Sequence, residues 1–154
     1  MESFFQVDAF TNRPFSGNSA AVIITESGLS PEKMQKIAIQ NNLPATAFIM
    51  FTNPGFELRW FTVKHELPLC GHATLASAHV LFSKGFVQAE NKIHFITGRG
   101  DLSAWFQNGW ITMDFPAYSC APVEIPQDLK TLFSGKFKSG FLTQDKFLVE
   151  LIAA

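Results

Sequence analysis

The chain of 154 residues can bury one sizeable core and has about the length of a single domain, since 47% of its residues are hydrophobic and 14% aromatic. Its net charge of -1, with Lys and Arg scattered singly, leaves no basic stripe and argues against nucleic acid as a partner. No segment resembles a signal peptide, and no apolar run reaches about 18 residues, so we expect a cytoplasmic protein without a membrane partner.

The first half of the chain predicts two pairs of β-strands. β-Branched and aromatic residues dominate residues 3–10 and 19–25, and the turn-rich residues 11–18 separate them. Residues 45–51 and 56–62 lie on either side of an Asn-Pro-Gly turn, and the second of these segments alternates in hydrophobicity. We therefore expect a looped strand pair followed by a β-hairpin.

A helix is predicted between these two pairs. Ser30 suits the N-cap position, and Pro31 suits the first helical position because it has no amide hydrogen to leave unpaired. Met34, Ile37 and Ala38 follow on one stripe. This spacing is typical of an amphipathic helix.

The second half of the chain adds shorter elements. Strands are predicted at residues 92–97, 102–107, 110–115 and 146–152, and a short helix within residues 125–135. Asn108–Gly109 is the strongest two-residue hairpin signal in the sequence. It predicts that the strands on either side of it form a hairpin.

A second helix is predicted from Gly71 to Lys84, with Gly85 as its C-terminal stop. Apolar residues cover nearly its whole circumference: Ala73, Leu75, Ala76, Ala78, Val80, Leu81 and Phe82. Such a helix is buried on most sides, and its small residues suit a close approach by strands. We expect an α+β fold in which an antiparallel sheet curls into a barrel-like lobe around this central helix.

The N-terminus of this second helix is a candidate anion site. The amides of Gly71, His72 and Ala73 have no partner within the helix, and the helix dipole favours negative charge there. Cys70 precedes them directly in the sequence. Cys70 and His72 therefore lie where a carboxylate would arrive.

The two cysteines, Cys70 and Cys120, are expected to be free thiols. They do not have C-x-x-C spacing, and two residues cannot form a metal cluster by themselves. A disulfide scaffold and a zinc site are both disfavoured, and we expect no metal.

Four segments of the chain resemble one known family. They are VDAFTNRPFSGNSAAVI, NNLPATAFIM, RWFTVKHELPLCGHATLASAHVL and FLVEL. They are similar to the PhzF family, the phenazine-biosynthesis-like isomerases, which are related in fold to diaminopimelate epimerase. The resemblance implies an enzyme without metal or organic cofactor that isomerises or epimerises a small carboxylic acid by moving a proton at carbon.

Two departures from the family pattern bear on catalysis. The family's stretch N-L-S-E-T-A-F corresponds to residues 42–48, so Ala45 replaces the glutamate that would move the proton. A methyl group cannot do acid–base work. The resemblance also implies that residues 1–154 form a single lobe, the N-terminal half of a protein with two lobes and a cleft between them. We expect a homodimer, or association with a second lobe, to complete the cleft.

His72 and Cys70 are the candidate catalytic residues. The helix-start position of His72 and its G-H-A-T segment favour an acid, a base or a carboxylate-orienting group; the alternative is a helix-capping histidine. The C-G-H segment is similar to the C-G-N of diaminopimelate epimerase, and a helix N-terminus lowers a thiol pKa. The alternative for Cys70 is an ordinary buried apolar residue.

The candidate substrate-binding residues are expected at one end of the lobe: Asn18, Gly71, His72 and Ala73. Asn18 would contact the substrate through its amide, or else serve as a left-handed turn residue. Asp8 is expected to brace the same loop. His79 is expected on the same helix face as His72 but deeper in the lobe, as a satisfied core or interface histidine.

Two classes of function remain open. In the first, the chain is a PhzF-like isomerase of a biosynthetic type whose proton chemistry depends on His72, Cys70 or an acid from an associated chain. In the second, it has kept the anion-binding helix end and lost catalysis, and it acts as a small-acid binding or interaction module. Position 45 discriminates between them, because a restored glutamate raises activity only if the rest of the site is intact.

Overall fold

The computed structural model describes residues 3–132, 136–143 and 146–152. The chain divides into two compact units between Phe115 and Pro116. The elements of the first unit are β1 (Ser3–Ala9), β2 (Asn18–Thr25), α1 (Pro31–Asn41), β3 (Ala45–Phe51), β4 (Phe56–Phe61), β5 (Glu66–Leu67), α2 (Gly71–Ser83), β6 (Ile93–Thr97), β7 (Gly100–Gln107) and β8 (Trp110–Asp114). The elements of the second are β9 (Ala121–Val123), α3 (Gln127–Leu132), β10 (Phe137–Leu142) and β11 (Phe147–Leu151).

The first unit contains one mixed sheet in the order β1-β2-β3-β4-β6-β7-β8, with β5 paired to β4. The α+β prediction is confirmed. The sheet is not purely antiparallel as expected, because β2 pairs with β3, and β4 with β6, in parallel. Parallel neighbours need a crossover connection. The first crossover runs through α1 and the second through α2.

The helix α2 is the centre of the first unit. It packs against β1, β2 and β3 at one end of the sheet and against β7 and β8 at the other, so the sheet curls around it. Ala73, Ala76 and Ala78 are fully buried on it, as is Leu81. The predicted barrel-like lobe around a central helix is therefore confirmed. Gly85, with a φ of 73°, follows the helix in the left-handed conformation, as predicted for its stop.

The core alternative for His79 is wrong. Its side chain is exposed, although it lies on a helix that is otherwise largely buried. The same stripe of α2 carries the half-buried Leu75 and Phe82. The curled sheet leaves this stripe uncovered, so His79 is not a core histidine.

The two polar side chains buried within α2 satisfy their own hydrogen bonds. The Thr74 hydroxyl donates to the carbonyl of Cys70 at 2.7 Å, and the Ser77 hydroxyl donates to that of Ala73 at 2.8 Å. A buried hydroxyl without a partner costs about 1–3 kcal/mol. These local bonds let α2 carry hydroxyls inside an apolar core without help from the strands.

The helix α1 covers the other face of the sheet. The Ser30 hydroxyl caps it by accepting from the amide of Lys33 at 3.3 Å, as the sequence predicts. Met34 and Ala38 of its buried stripe pack with a cluster of sheet residues: Ile23, Phe48 and Phe61. The hairpin predicted at Asn108–Gly109 is also present, with φ of 52° and 82° at the two residues, as a type I′ turn requires.

The second unit holds a three-stranded sheet in the order β11-β10-β9. The predicted short helix corresponds to α3, and the part of that prediction at residues 133–135 lies outside the described residues. The predicted final strand corresponds to β11. The sequence did not predict β9 or β10, since β9 has only three residues and β10 carries Lys, Ser and Gly in its middle.

Candidate functional site

Cys70 and His72 meet at the start of α2. The Sγ atom of Cys70 lies 3.4 Å from Nδ1 of His72. Cys70 is the N-cap residue and is only 6% exposed, whereas His72 is half-buried. The sequence therefore predicts correctly that the thiol and the imidazole are neighbours, and this contact is the chemical centre of the candidate site.

Burial keeps both groups of this pair uncharged. It raises the pKa of the Cys70 thiol above its ordinary value of 9.0, and the Ala73 amide opposes that rise. It lowers the pKa of the His72 imidazole below 6.5, and the backbone carbonyl of Ser19 opposes that fall. The prediction that the helix N-terminus lowers the pKa of the Cys70 thiol is wrong in direction. Desolvation raises this pKa by more than the helix N-terminus lowers it. At neutral pH the pair is a thiol beside a neutral imidazole.

The first turn of α2 offers backbone donors beside this pair. The first hydrogen bond within the helix runs from the amide of Thr74 to the carbonyl of Cys70 at 3.0 Å. The amides of Gly71, His72 and Ala73 precede it and have no partner within the helix. Among the described residues, no capping hydrogen bond of ordinary geometry joins the Cys70 side chain to these amides, although the Ala73 amide is near enough to the sulfur to act against the rise of the thiol pKa. Gly71 is exposed, so this end of the helix reaches the surface.

The β1–β2 loop returns to the same helix end. Asn18 is the first residue of β2 and its side chain is exposed, while the backbone carbonyl of the next residue, Ser19, faces the His72 imidazole. The turn-residue alternative for Asn18 is wrong, because the left-handed positions near it are Phe10 and Phe15, with φ of 63° and 61°. Asn18 is thus an extended residue beside the site.

Asp8 braces this region through a strand-to-strand contact. Asp8 of β1 and Ser19 of β2 are register partners, and the Ser19 hydroxyl donates to the Asp8 carboxylate. Ser19 itself is a site residue that sequence reasoning missed. Its signal was the strand register, since counting back from the turn between β1 and β2 places Ser19 opposite Asp8.

Position 45 lies at the same end of the sheet. Ala45 of β3 is fully buried and pairs with Ala20 of β2, the neighbour of Ser19 in the chain. Ala45 also belongs to the core cluster that contains Cys70 and Ala73. Ala45 is therefore opposite the residue that follows Ser19, and it shares the core cluster with Cys70.

The described part of the chain contains neither a cluster of metal ligands nor a helix that could cross a membrane. There, no group of three or more His, Cys, Asp or Glu side chains could hold a metal ion. Both cysteines are free thiols, as predicted, with Cys70 buried and Cys120 exposed. None of the helices in residues 3–132, 136–143 and 146–152 has the length and apolar character needed to cross a membrane.

Comparisons of the chain with known proteins agree on one family. The family model described as phenazine biosynthesis-like protein, PhzC-PhzF, matches residues 7–144. The chain is 42% identical over 147 residues to the uncharacterized isomerase PA2770 of Pseudomonas aeruginosa. The matched region covers 96% of this chain and 56% of that protein. It is 45% identical over 126 residues to the human phenazine biosynthesis-like domain-containing protein, covering 77% of this chain and 43% of the relative.

Solved structures agree with this comparison. A crystal structure of a PhzF-family phenazine biosynthesis protein from Enterococcus faecalis matches with a TM-score of 0.82 and 37% identity, over 95% of this chain and 55% of that one. The chain thus spans about half the length of the relatives it matches. From the match over most of its sequence and the curled sheet around α2, the chain belongs to the PhzC-PhzF family of phenazine biosynthesis-like proteins.

Proposed function

We propose that this chain forms part of a PhzF-type isomerase that binds a small carboxylic acid at the N-terminus of α2 and transfers a proton at carbon. The observation that carries the proposal is the 3.4 Å contact between the Cys70 thiol and the His72 imidazole at the N-terminus of α2, where the first amides have no partner within the helix. Family membership supports an isomerase or epimerase type of chemistry.

The binding half of the proposal rests on the helix end. Amides that lack helical partners and the positive end of the helix dipole stabilise a carboxylate by about 0.3–1 kcal/mol at the surface and up to about 2 kcal/mol when partly buried. Gly71, His72 and Ala73 supply these amides, and the exposed Asn18 amide is available beside them. We therefore expect modest affinity from this part of the protein alone.

The catalytic half rests on the protonation states. A neutral imidazole has a lone pair that can accept a proton, and a neutral thiol carries a proton that it can donate. Burial keeps the His72 imidazole neutral and the Cys70 thiol protonated near neutral pH. When His72 takes a proton from carbon and Cys70 donates one, an imidazolium and a thiolate remain. Transfer of one proton from the imidazolium to the thiolate across their 3.4 Å contact restores both groups, so the cycle needs no oxidant or reductant.

Ala45 makes slow turnover the expected outcome. A positioned general acid or base contributes about 10²–10⁴-fold in rate, equivalent to about 3–5 kcal/mol of barrier. The buried methyl group at this position cannot contribute that share. The same observation supports a second candidate function, a module that binds small acids and does not turn them over.

Solvent-deuterium exchange into candidate small acids tests both functions. We would compare the native chain with His72→Ala, Ala45→Glu and the isosteric control Ala45→Gln. Slow exchange that is lost in His72→Ala supports the isomerase. Rapid native exchange that His72→Ala leaves unchanged would show that the site is misassigned.

The two variants at position 45 separate the isomerase from the binding module. Exchange that rises in Ala45→Glu and stays low in Ala45→Gln shows that the site is intact and that only a carboxylate is missing. Binding of the same acids by the native chain, without exchange in any variant, supports the binding module. Calorimetry on the same samples measures that binding.

A further inference from the structure

The first unit has a cavity on the face of its sheet that α1 covers, opposite α2. Its volume is about 150 Å³. Its walls are mostly apolar, and the buried residues among them include Met34 of α1 and Phe48 of β3. An engineered apolar cavity of about 150 Å³ in another protein stays dry and binds benzene. The cavity therefore has the size and the wall chemistry of a site for a benzene-sized apolar group.

The strand register explains why the cavity forms beside α1. The helix packs over the part of this face that contains Phe48. The next row, two residues further along β2 and β3, consists of Thr25, Met50 and Glu57, which are register partners. All three line the cavity, and so does Gly28, which has no side chain and lies in the connection between β2 and α1. The cavity is thus the space that α1 leaves over this row.

Two charged residues of β4, Glu57 and Arg59, also line the cavity. Arg59 is paired with Glu66, since its Nε donates to Oε1 at 2.7 Å and its Nη2 donates to Oε2 at 2.8 Å. These hydrogen bonds, and to a smaller degree the charge of Glu57, raise the pKa of Arg59 above its ordinary value. In the described part of the chain, the Glu57 carboxylate has no hydrogen bond or ion pair of its own. Two carboxylates therefore share one guanidinium beside the cavity.

This arrangement of charges selects the kind of ligand. A guanidinium that already binds one carboxylate through two parallel hydrogen bonds has little left to offer a second anion. The half-buried Glu57 carboxylate, in contrast, accepts hydrogen bonds and attracts positive charge. An ammonium group supplies both the charge and the donors. A ligand that complements the cavity therefore joins an ammonium group to a small apolar body.

We propose that this cavity is a binding site for a small primary amine whose apolar part is about the size of a benzene ring. The apolar part lies against Met34 and Met50, and the ammonium group donates to Glu57. The site is on the opposite face of the sheet from the Cys70–His72 pair, so this proposal does not depend on the proposed function.

The methionine methyl groups provide the test. The chain has four methionines. Met34 and Met50 line the cavity, whereas Met113 packs against the core cluster around α2 and is the internal control. The full chain, labelled with ¹³C-methyl methionine, would be titrated with benzylamine, with neutral benzyl alcohol and with anionic benzoate, and each methyl signal would be followed.

We expect benzylamine to shift the Met34 and Met50 signals and to leave the Met113 signal unchanged. Benzyl alcohol should cause the same shifts but bind about fivefold more weakly, which is the upper range for a partly exposed ion pair. Benzoate should bind more weakly still, because its charge has the same sign as that of Glu57.

Two variants separate the charge from the cavity. Glu57→Gln should weaken benzylamine binding about fivefold and leave benzyl alcohol binding unchanged. Gly28→Leu should abolish the binding of both, because the new side chain fills the space beside Met50. A Cβ atom at Gly28 would lie 3.6 Å from Sδ of Met50, which is an ordinary contact. Gly98→Leu is the matched control, since a Cβ atom there meets no described atom within 4 Å beyond its chain neighbours.

Three results would overturn the proposal: Met34 and Met50 signals that do not move at about 10 mM benzylamine, a generous concentration for so small a ligand; benzoate that binds as tightly as benzylamine; or benzylamine shifts that persist in folded Gly28→Leu. If Gly28→Leu does not fold, Glu57→Gln decides. Loss of the preference for benzylamine over benzyl alcohol in that variant supports the site, and an unchanged preference overturns it.

Discussion

The Cys70 sulfur faces Nδ1 of His72 at 3.4 Å, in surroundings buried enough to disfavour charge on either group. Protonation of His72 is therefore costlier in the folded chain than in the unfolded chain. The unfolded histidine takes up a proton near pH 6.5, and the folded one does so only at lower pH. The contribution of neutral His72 to the free energy of unfolding is fully present above pH 6.5. It is lost as the pH falls from 6.5 through the pKa of His72 in the folded chain.

Acidification should therefore destabilise the native chain more than a variant without this histidine. We expect the drop in thermal midpoint between about pH 7.5 and about pH 5 to be smaller in His72→Gln than in the native chain. His79→Gln is the matched control, since His79 is exposed on the same helix. Equal drops in the native chain and His72→Gln would contradict the assigned pKa shift.

The two cysteines should differ in reactivity. The thiolate is the reactive form, and Cys70 is buried with a raised pKa, whereas Cys120 is exposed. Iodoacetamide should modify Cys120 in the folded chain and modify Cys70 only after denaturation. Mass spectrometry of peptides from native and denatured samples measures both sites, with Cys120→Ser as the control. Rapid labelling of Cys70 in folded Cys120→Ser would show that the thiol is activated instead.

Gly17 should be intolerant of a side chain. A Cβ atom there would lie 2.6 Å from Cγ2 of Thr11 and 2.7 Å from the carbonyl oxygen of Ala9. Gly17→Ala should therefore destabilise the first unit by about 1–3 kcal/mol, the usual cost of overpacking. Gly98→Ala is the control, because a Cβ atom at that position would meet no described atom within 4 Å beyond its chain neighbours. Urea unfolding measures both, and equal midpoints would contradict the crowding.

Truncation of Leu81 should show how much the packing around α2 contributes to the free energy of unfolding. Leu81 is fully buried in the core cluster around α2. Leu81→Ala should cost about 2–5 kcal/mol of unfolding free energy, through lost burial and the cavity that remains. The same substitution at the exposed Leu132 should cost far less. Similar losses at the two positions would show that α2 is not the centre of the core.

The chain should self-associate in solution. Phe15 is 100% exposed and Trp110 is 77% exposed, and Phe10 on the same loop as Phe15 is also exposed. A large exposed apolar patch commonly marks an interaction site, and we expect these exposed aromatic side chains to contribute to one. We expect a homodimer in sedimentation velocity at micromolar concentrations, weakened in Trp110→Thr or Phe15→Ser. A monomer over the whole range would contradict the expectation.

Short-range sequence signals predicted the helices and turns better than they predicted how the strands pair. The Ser30 cap, the Asn108–Gly109 turn and the apolar circumference of α2 each depend on short-range chemistry, and each is present. The parallel pairings were not predicted, because the alternation of a strand does not reveal which neighbour it pairs with. The exposure of His79 was missed for a similar reason: periodicity assigns a helix face but not whether the curled sheet covers it.

The contacts of the candidate site divide in the same way, into those that short-range sequence patterns predict and those that they do not. Cys70 and His72 are two residues apart in the sequence, so their contact was predictable from the helix start. Ser19 was not, because its contact with His72 joins the start of β2 to the start of α2. Such a contact is set by the register of three strands and the crossover helix, which short sequence patterns do not encode.

The closure of the sheet around α2 has a consequence for folding kinetics. The helix packs against both β1 and β8, which lie at opposite ends of the first unit's sequence as well as of its sheet. Contacts so distant along the chain close large loops and slow the search for the native state. During synthesis, α2 leaves the ribosome well before β8, and its apolar surface must wait for that strand.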